Sequence, residues 1–192
     1  RDLHLSLRRQ RQMCIRDSYE IATTLSPNNS ILWNEWATLY YYSLGDKLGY
    51  QRCISRSLSL DPEFEQTWLI VGDIRVGEGD LEGAVEAYRT ALEIKPRQPR
   101  VWSALGRVYL QLGRSAEAAD ALRQSLELAP NARDAWETHR LLAIAYYQMG
   151  YLDQALLEAQ TALALAPEDQ RPLVEDLIQQ LQQALPSGGG SP

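Results

Sequence analysis

Trp68-Leu69-Ile70-Val71-Gly72 opens a segment that runs through Gly79, Ala84, Tyr88 and Ala91 to Pro96, and the spacing of these residues decides the fold. Gly79 stands where a helix must stop and reverse, which suits a residue free to adopt positive φ. Beyond it Ala84, Tyr88 and Ala91 fall at helical spacing on one face, so the segment reads as two antiparallel helices. Moving outward, the same residue types return at a fixed period. Pro62, Pro96 and Pro130 are spaced by 34 and 34, and Pro167 follows after 37. Each proline ends an apolar run: Leu58 to Pro62, Leu92 to Pro96, Leu126 to Pro130, Leu163 to Pro167. A period of this size marks a repeat array. The three extra residues of the last interval lie near Asn131 to Thr138, and they predict a first helix longer by about one turn.

Laid on one another at the prolines, the units share their columns. Small residues stand at Gly72, Gly106 and Ala143, aromatics at Tyr41, Tyr109 and Tyr146, and closing glycines at Gly45, Gly79, Gly113 and Gly150. Alanines recur early in the second helix at Ala84, Ala118 and Ala155 and late at Ala91 and Ala162, with Ile54, Tyr88 or Leu122 between. Small columns let paired helices approach, and the bulky ones fill the space between neighbouring pairs. These columns resemble the tetratricopeptide-repeat family over Ile31 to Pro167. The resemblance implies an all-α, right-handed solenoid of antiparallel helix pairs, in four units spanning 31–64, 65–98, 99–132 and 133–167. The first unit departs most: Asn34 takes the opening aromatic's column, Thr38 the glycine's, and Tyr50 and Ser57 replace the alanines, with Trp33 and Trp36 alongside.

The flanks differ from the array. Residues 168–185 form an amphipathic stretch, with Leu173, Leu177, Ile178, Leu181 and Leu185 at helical spacing, which reads as the capping helix that a terminal repeat needs. Residues 186–192, Pro-Ser-Gly-Gly-Gly-Ser-Pro, read as a disordered tail. Residues 19–30 read as the end of a second helix and its turn, with Tyr19, Ala22, Leu25 and Pro27 in column. Upstream the pattern stops. Arg8-Arg9-Gln10-Arg11-Gln12-Met13-Cys14-Ile15-Arg16-Asp17-Ser18 resembles the translation of a transposase sequencing adapter, and Arg1-Asp2-Leu3-His4 that of the adapter preceding it. Residues 1–18 are therefore expected to be adapter-derived and are set aside from fold reasoning.

Charge and composition narrow the function. The 192-residue chain carries a net −6, and because residues 1–18 hold five arginines and two aspartates, the remainder carries −9. An acidic array is a poor match for phosphate backbones, so no nucleic-acid partner is expected. No apolar run reaches membrane-spanning length, so the chain is not expected to insert into a bilayer. Beyond residue 18, Cys53 and His139 stand alone, which leaves no disulfide framework or Cys/His metal set, and no cofactor is expected. Gly77-Glu78-Gly79-Asp80-Leu81-Glu82-Gly83 has the wrong glycine spacing for a phosphate loop and joins two helices, so it reads as turn chemistry. Asn28-Asn29-Ser30 matches a glycan acceptor pattern but also a helix cap before Ile31, the preferred reading.

What remains is the inner wall formed by the first helices. Helical counting from the closing glycines places there Glu35, Leu39 and Tyr42, then Leu69, Asp73 and Val76, then Ser103, Arg107 and Leu110, then Arg140, Ile144 and Tyr147. Arg100, Arg107 and Arg140 make one half of this groove basic, while Glu35 and Asp73 make the other acidic. Alternating apolar and charged residues suit a protein or peptide ligand whose side chains enter apolar sites and whose charges set its direction. The expected function is thus a non-catalytic interaction scaffold. The family's carboxylate clamp needs a Lys/Asn/Arg set, and Glu35 and Leu39 hold its opening columns, so that ligand is not expected. An alternative rests on a second resemblance: Tyr19 to Asn29 followed by Leu32-Trp33-Asn34-Glu35-Trp36-Ala37 is similar to the C-terminal repeats of bacterial O-antigen ligase-like membrane proteins. In that case the array is an appendage of a membrane-embedded parent chain and lies outside the cytoplasm, whereas a freestanding adaptor is cytoplasmic.

Overall fold

The structure, a computed structural model, describes residues 2–184, with side chains at 13, 14 and 16–184. Leu185 and the tail at 186–192 lie outside the described residues. The described chain is all helical: α1 (Asp2–Leu25), α2 (Ser30–Leu39) running into a π-helical turn (Tyr40–Leu44), α3 (Lys47–Leu60), α4 (Glu65–Glu78), α5 (Leu81–Ile94), α6 (Pro99–Gln111), α7 (Ser115–Leu128), α8 (Ala135–Gln148), α9 (Leu152–Leu165) and α10 (Arg171–Ala184). The main contacts run α2 with α3, α4 with α5, α6 with α7 and α8 with α9, and then between successive pairs, which makes the molecule a helical solenoid.

Helices meet where side chains are smallest. A Cβ built on Gly72 would run into the ring of Tyr88, and one on Gly106 would sit 2.6 Å from Leu122 Cγ and 3.3 Å from the Ala118 carbonyl oxygen. Tyr88 and Leu122 are buried as a result, each worth roughly 2–3 kcal/mol of apolar transfer. In the last pair Ala143 takes the same place against Ala155 and Ala159, and Leu181 of α10 closes over them. Nearer the start of α10, Val174 covers Ala162 and Ala166. The pairs reverse at left-handed glycines, such as Gly79 at φ 81°. Asp46 and Asp80 then cap the next helix by accepting from the backbone N–H of Gly49 and Gly83. Asn29 caps α2 in the same way, accepting from Ile31 and Leu32.

A recurring bond fixes the register of the first helices. Trp68 Nε1 donates to the Pro62 carbonyl at 3.0 Å, Trp102 Nε1 to Pro96 at 2.8 Å, and Trp33 Nε1 to Pro27 at 2.9 Å. Trp33, not Asn34, is therefore the opening aromatic of the first unit, and Ala37, not Thr38, is its small residue, fully buried in the local core. The unit holds one residue more than the second and third. The π turn takes up that residue, with Asp46 N–H bonding the Tyr40 carbonyl, so Gly45 still closes the helix in step with Gly79. Tyr41, displaced by the turn, donates to the Ile74 carbonyl of α4 at 3.3 Å and meets Tyr50 edge-on.

The fourth unit corrects a second expectation. Its first helix, α8, has 14 residues, as many as α4, so the extra chain does not lengthen it by a turn. Two of the three added residues lie in the Pro130–Asp134 turn, since α8 starts five residues after its proline where α4 and α6 start three after theirs. Trp136 leaves the proline carbonyl and packs against Ala162, Ala166 and Val174 instead. At the other end α1 is one continuous helix; Met13, Cys14 and Arg16 to Ser18 are exposed, and ring stacking on the array begins with Tyr19, 6.4 Å from Trp36.

Candidate binding cavity

The inner wall contains an open cavity of about 410 Å³, lined by the first three units and by Asp134 of the fourth. Tyr42 comes from the π turn, Leu69, Asp73 and Val76 from α4, and Arg100, Ser103 and Arg107 from α6. Tyr88, Ala104, Val108, Gln111 and Asp134 complete its lining. Leu69, Asp73 and Val76 share a face because they sit at i, i+4 and i+7, and Arg100, Ser103 and Arg107 repeat that spacing on α6.

The cavity carries charge of both signs, Asp73 and Asp134 with Arg100 and Arg107. Asp73 accepts from Tyr88 Oη at 2.7 Å, and burial, followed by this bond, raises the Tyr88 phenol so that it stays a donor. The carboxylate is thus held in one place, which a ligand requires of a recognition group. Tyr42 stands 63% exposed beside it, its phenol raised by burial first and by the charge of Asp73 second. On α6 Arg100 is exposed and makes no ion pair among the described residues, while Arg107 reaches Glu137 at 3.9 Å.

The remaining expected groove residues lie elsewhere. Glu35 faces back toward α1, where it accepts from Tyr19 Oη at 3.4 Å. Leu39 packs on the core of Trp36, Tyr50, Cys53 and Ile74. Both departures have one cause: counting back from Gly45 crosses the π turn, and the added residue rotates the earlier part of α2 by about 100°. Counted from Trp33, the positions matching Leu69 and Asp73 are Asn34 and Thr38, which are again not the Lys/Asn set of the clamp. Leu110 packs on the central core. Arg140 is committed to Glu137 through Nε and Nη2, both at 2.9 Å, so the basic half of the groove is narrower than its arginines suggest. Ile144 and Tyr147 stay on α8, outside the cavity walls. Asp134 was missed because it lies on the longer turn, which has no column in the other units.

The isolated reactive residues are held in structural roles. Cys53 is buried, and burial pushes its thiol up to about 11, which disfavours the nucleophilic thiolate. His139 Nδ1 lies 2.6 Å from Glu158 Oε2, joining α8 to α9. Among the described residues no three His, Cys, Asp or Glu side chains cluster as a metal site, and no helix is long and apolar enough to cross a membrane.

Comparison with known proteins agrees with this architecture. Residues 72–113 match a family described as TPR repeat, and residues 99–132 and 136–169 match tetratricopeptide repeat. No curated protein sequence matches the chain. Among solved structures, the chain is similar to the APC/C hetero-tetramer Cut9-Hcn1, with a TM-score of 0.73 and 20% identity over 88% of this chain. It spans only 33% of that chain. MamA aligns with a TM-score of 0.67 and 19% identity, over 77% of this chain and 84% of that one. The first TPR of Spaghetti (RPAP3), bound to the HSP90 peptide SRMEEVD, aligns with a TM-score of 0.58 and 18% identity, over 65% of this chain and 95% of that one. At these identities the likeness is one of fold.

Proposed function

From the premise that the chain belongs to the tetratricopeptide-repeat family, and is thus a protein–protein interaction scaffold, we propose that it binds a peptide segment in the inner cavity without catalysing a reaction on it. One observation carries this reading: successive units contribute to a single cavity in which apolar side chains stand among charged groups of both signs. Leu69, Val76, Ala104 and Val108 can take an aliphatic side chain. Asp73, held by Tyr88 and flanked by Tyr42, suits a basic residue, and Arg100 with Arg107 suits an acidic one. The acidic end of the segment then points toward the third unit. That a domain of the same fold, Spaghetti (RPAP3), holds an acidic peptide supports a peptide as the class of ligand.

Selection from a random peptide library against the full chain tests this. The expected winners carry a basic and an acidic residue flanking an aliphatic one, and Arg100→Glu together with Arg107→Glu weakens them by about tenfold or more. Winners that keep their affinity for this variant, and for Asp73→Lys, place binding outside the cavity and end the proposal.

A further inference from the structure

The side of the array formed by the second helices carries two cavities built to one plan. One, of about 470 Å³, includes Trp102, Tyr109, Glu117 and Asp120 in its walls; the other, of about 400 Å³, includes Trp33, Tyr40, Gly49 and Arg52. These residues fall in the same columns, as do Leu105 with Trp36 and Gln124 with Arg56, when the first helices are aligned on their tryptophans and the second helices on the closing glycines. At the junction between them the tyrosine's column holds Arg75, whose guanidinium lies 3.8 Å from Glu86 and 3.9 Å from Asp80, so that ion-paired side chains occupy the place.

The two cavities differ in charge and in hydrogen bonding. The larger has Glu93, Glu117 and Asp120 against Arg89 alone, and Arg89 already donates to Tyr109 Oη at 3.1 Å. The smaller has Arg52 and Arg56 against Glu20. Arg52 makes no hydrogen bond or ion pair among the described residues, while Arg56 reaches only the Pro27 carbonyl and Asn28 Oδ1, each at 3.4 Å. Its aromatic wall is a run of stacked rings, with Trp36 5.6 Å from Trp33 and 5.3 Å from Tyr40. Trp36 is 7% exposed, and its indole N–H is buried with no acceptor. Buried donors are almost always satisfied, and this orphan belongs to a side chain of the cavity wall, closed off in the free chain and open to an outside acceptor only after the ring turns on binding.

We propose that this smaller cavity is a second docking site, for an acidic and apolar segment of a protein partner. A carboxylate of the segment meets Arg52 and Arg56, an aliphatic side chain lies on Trp33 and Tyr40, and a carbonyl accepts the Trp36 indole N–H. Charge selects this occupant: the rim is net positive on a chain that is net negative, and a cationic segment would meet the larger cavity instead. The site shares no residue with the inner cavity, so either can fail without the other.

The indole N–H resonances of the five tryptophans report this directly. Titration of the full chain with acetyl-Leu-Asp-Leu-Asp-Leu-amide should shift the Trp36 resonance downfield to saturation and leave Trp68 and Trp136 in place. Arg52→Glu, which removes no existing bond, should weaken the effect by about tenfold with an unchanged melting curve. The same peptide with asparagine or lysine for aspartate should do far less. An immobile Trp36 resonance, equal binding to Arg52→Glu, or equal response to the lysine peptide overturns the proposal. So does sodium 4-phenylbutyrate saturating the site where the acidic peptide does not, since the pocket would then belong to a small carboxylate.

Discussion

The first unit and the third build the same helix pair from different materials. In the third, Gly106 lets Leu122 and the backbone at Ala118 come within contact of α6, and the helix runs regularly to Gly113. In the first, Ala37 takes the crossing, Tyr50 and Cys53 replace alanines behind it, and an added residue is absorbed by the π turn. The larger side chains push material outward, and Tyr41 and Tyr50 use their hydroxyls to reach Ile74 and Glu78 of α4. One unit is therefore held mainly by close approach, the other by aromatic stacking and polar links to its neighbour.

The largest test of that contrast is at the crossings. Gly106→Leu should cost about 3 kcal/mol through overpacking, and even Gly106→Ala should destabilise, because a Cβ already meets Leu122. Ala37, by contrast, accommodates its methyl, so Ala37→Gly should cost only about 1 kcal/mol of helix propensity. Thermal melts that rank these variants otherwise would show that the two crossings are not equivalent.

Polar links come next. Tyr50 Oη donates to Glu78 Oε1 at 2.7 Å, and Tyr50→Phe should cost about 1.5 kcal/mol, measured by urea unfolding. The Glu78 carboxyl is held below its usual range by this bond first and by Lys47 second. A folded-state value below the unfolded one stabilises at pH above the unfolded value, and this contribution disappears as pH falls through the folded value. Stability should therefore decline below about pH 4.5, and Glu78→Gln should flatten that part of the profile. An unchanged acid limb in Glu78→Gln would remove the link.

A smaller and more uniform effect is expected at the tryptophans. Trp33→Phe, Trp68→Phe and Trp102→Phe should each lose about 1 kcal/mol with their proline bond, whereas Trp136→Phe has no such bond to lose. A neutral Trp33→Phe beside costly Trp68→Phe and Trp102→Phe would return the first unit to the register of Asn34. The smallest effect belongs to the N-terminus: with Met13, Cys14 and Arg16 to Ser18 exposed, removal of residues 1–18 should leave the melting temperature nearly unchanged.

Much of the architecture was legible because it rests on residues that act alone. A glycine at a reversal, a proline after a helix and a small residue at a crossing each announce their role by type. The first unit was harder because its register is a joint property of two elements. The clue was present: Trp33 follows Pro27 by six residues, as Trp68 follows Pro62 and Trp102 follows Pro96. Yet Trp136 follows Pro130 by the same six and breaks the rule, since the longer turn carries it away from the carbonyl. Seven of the inner-wall residues meet in one cavity, but the partner that fixes Asp73, Tyr88, lies on another helix and leaves no local pattern, whereas the pairing of Arg140 with Glu137 three residues before it was legible as a helical i,i+3 pair.

The π turn also changes how such a chain can be edited. A single inserted residue in an ordinary helix would swing everything after it out of phase, and every later junction would have to be rebuilt. Here the phase is restored within one turn, ahead of Gly45, so the downstream units keep their register and only the reach of Tyr41 to α4 marks the added residue. Gene segments exchanged between arrays of this kind should therefore be joined at the closing glycines, where phase is reset, and not at a fixed count of codons from the preceding proline.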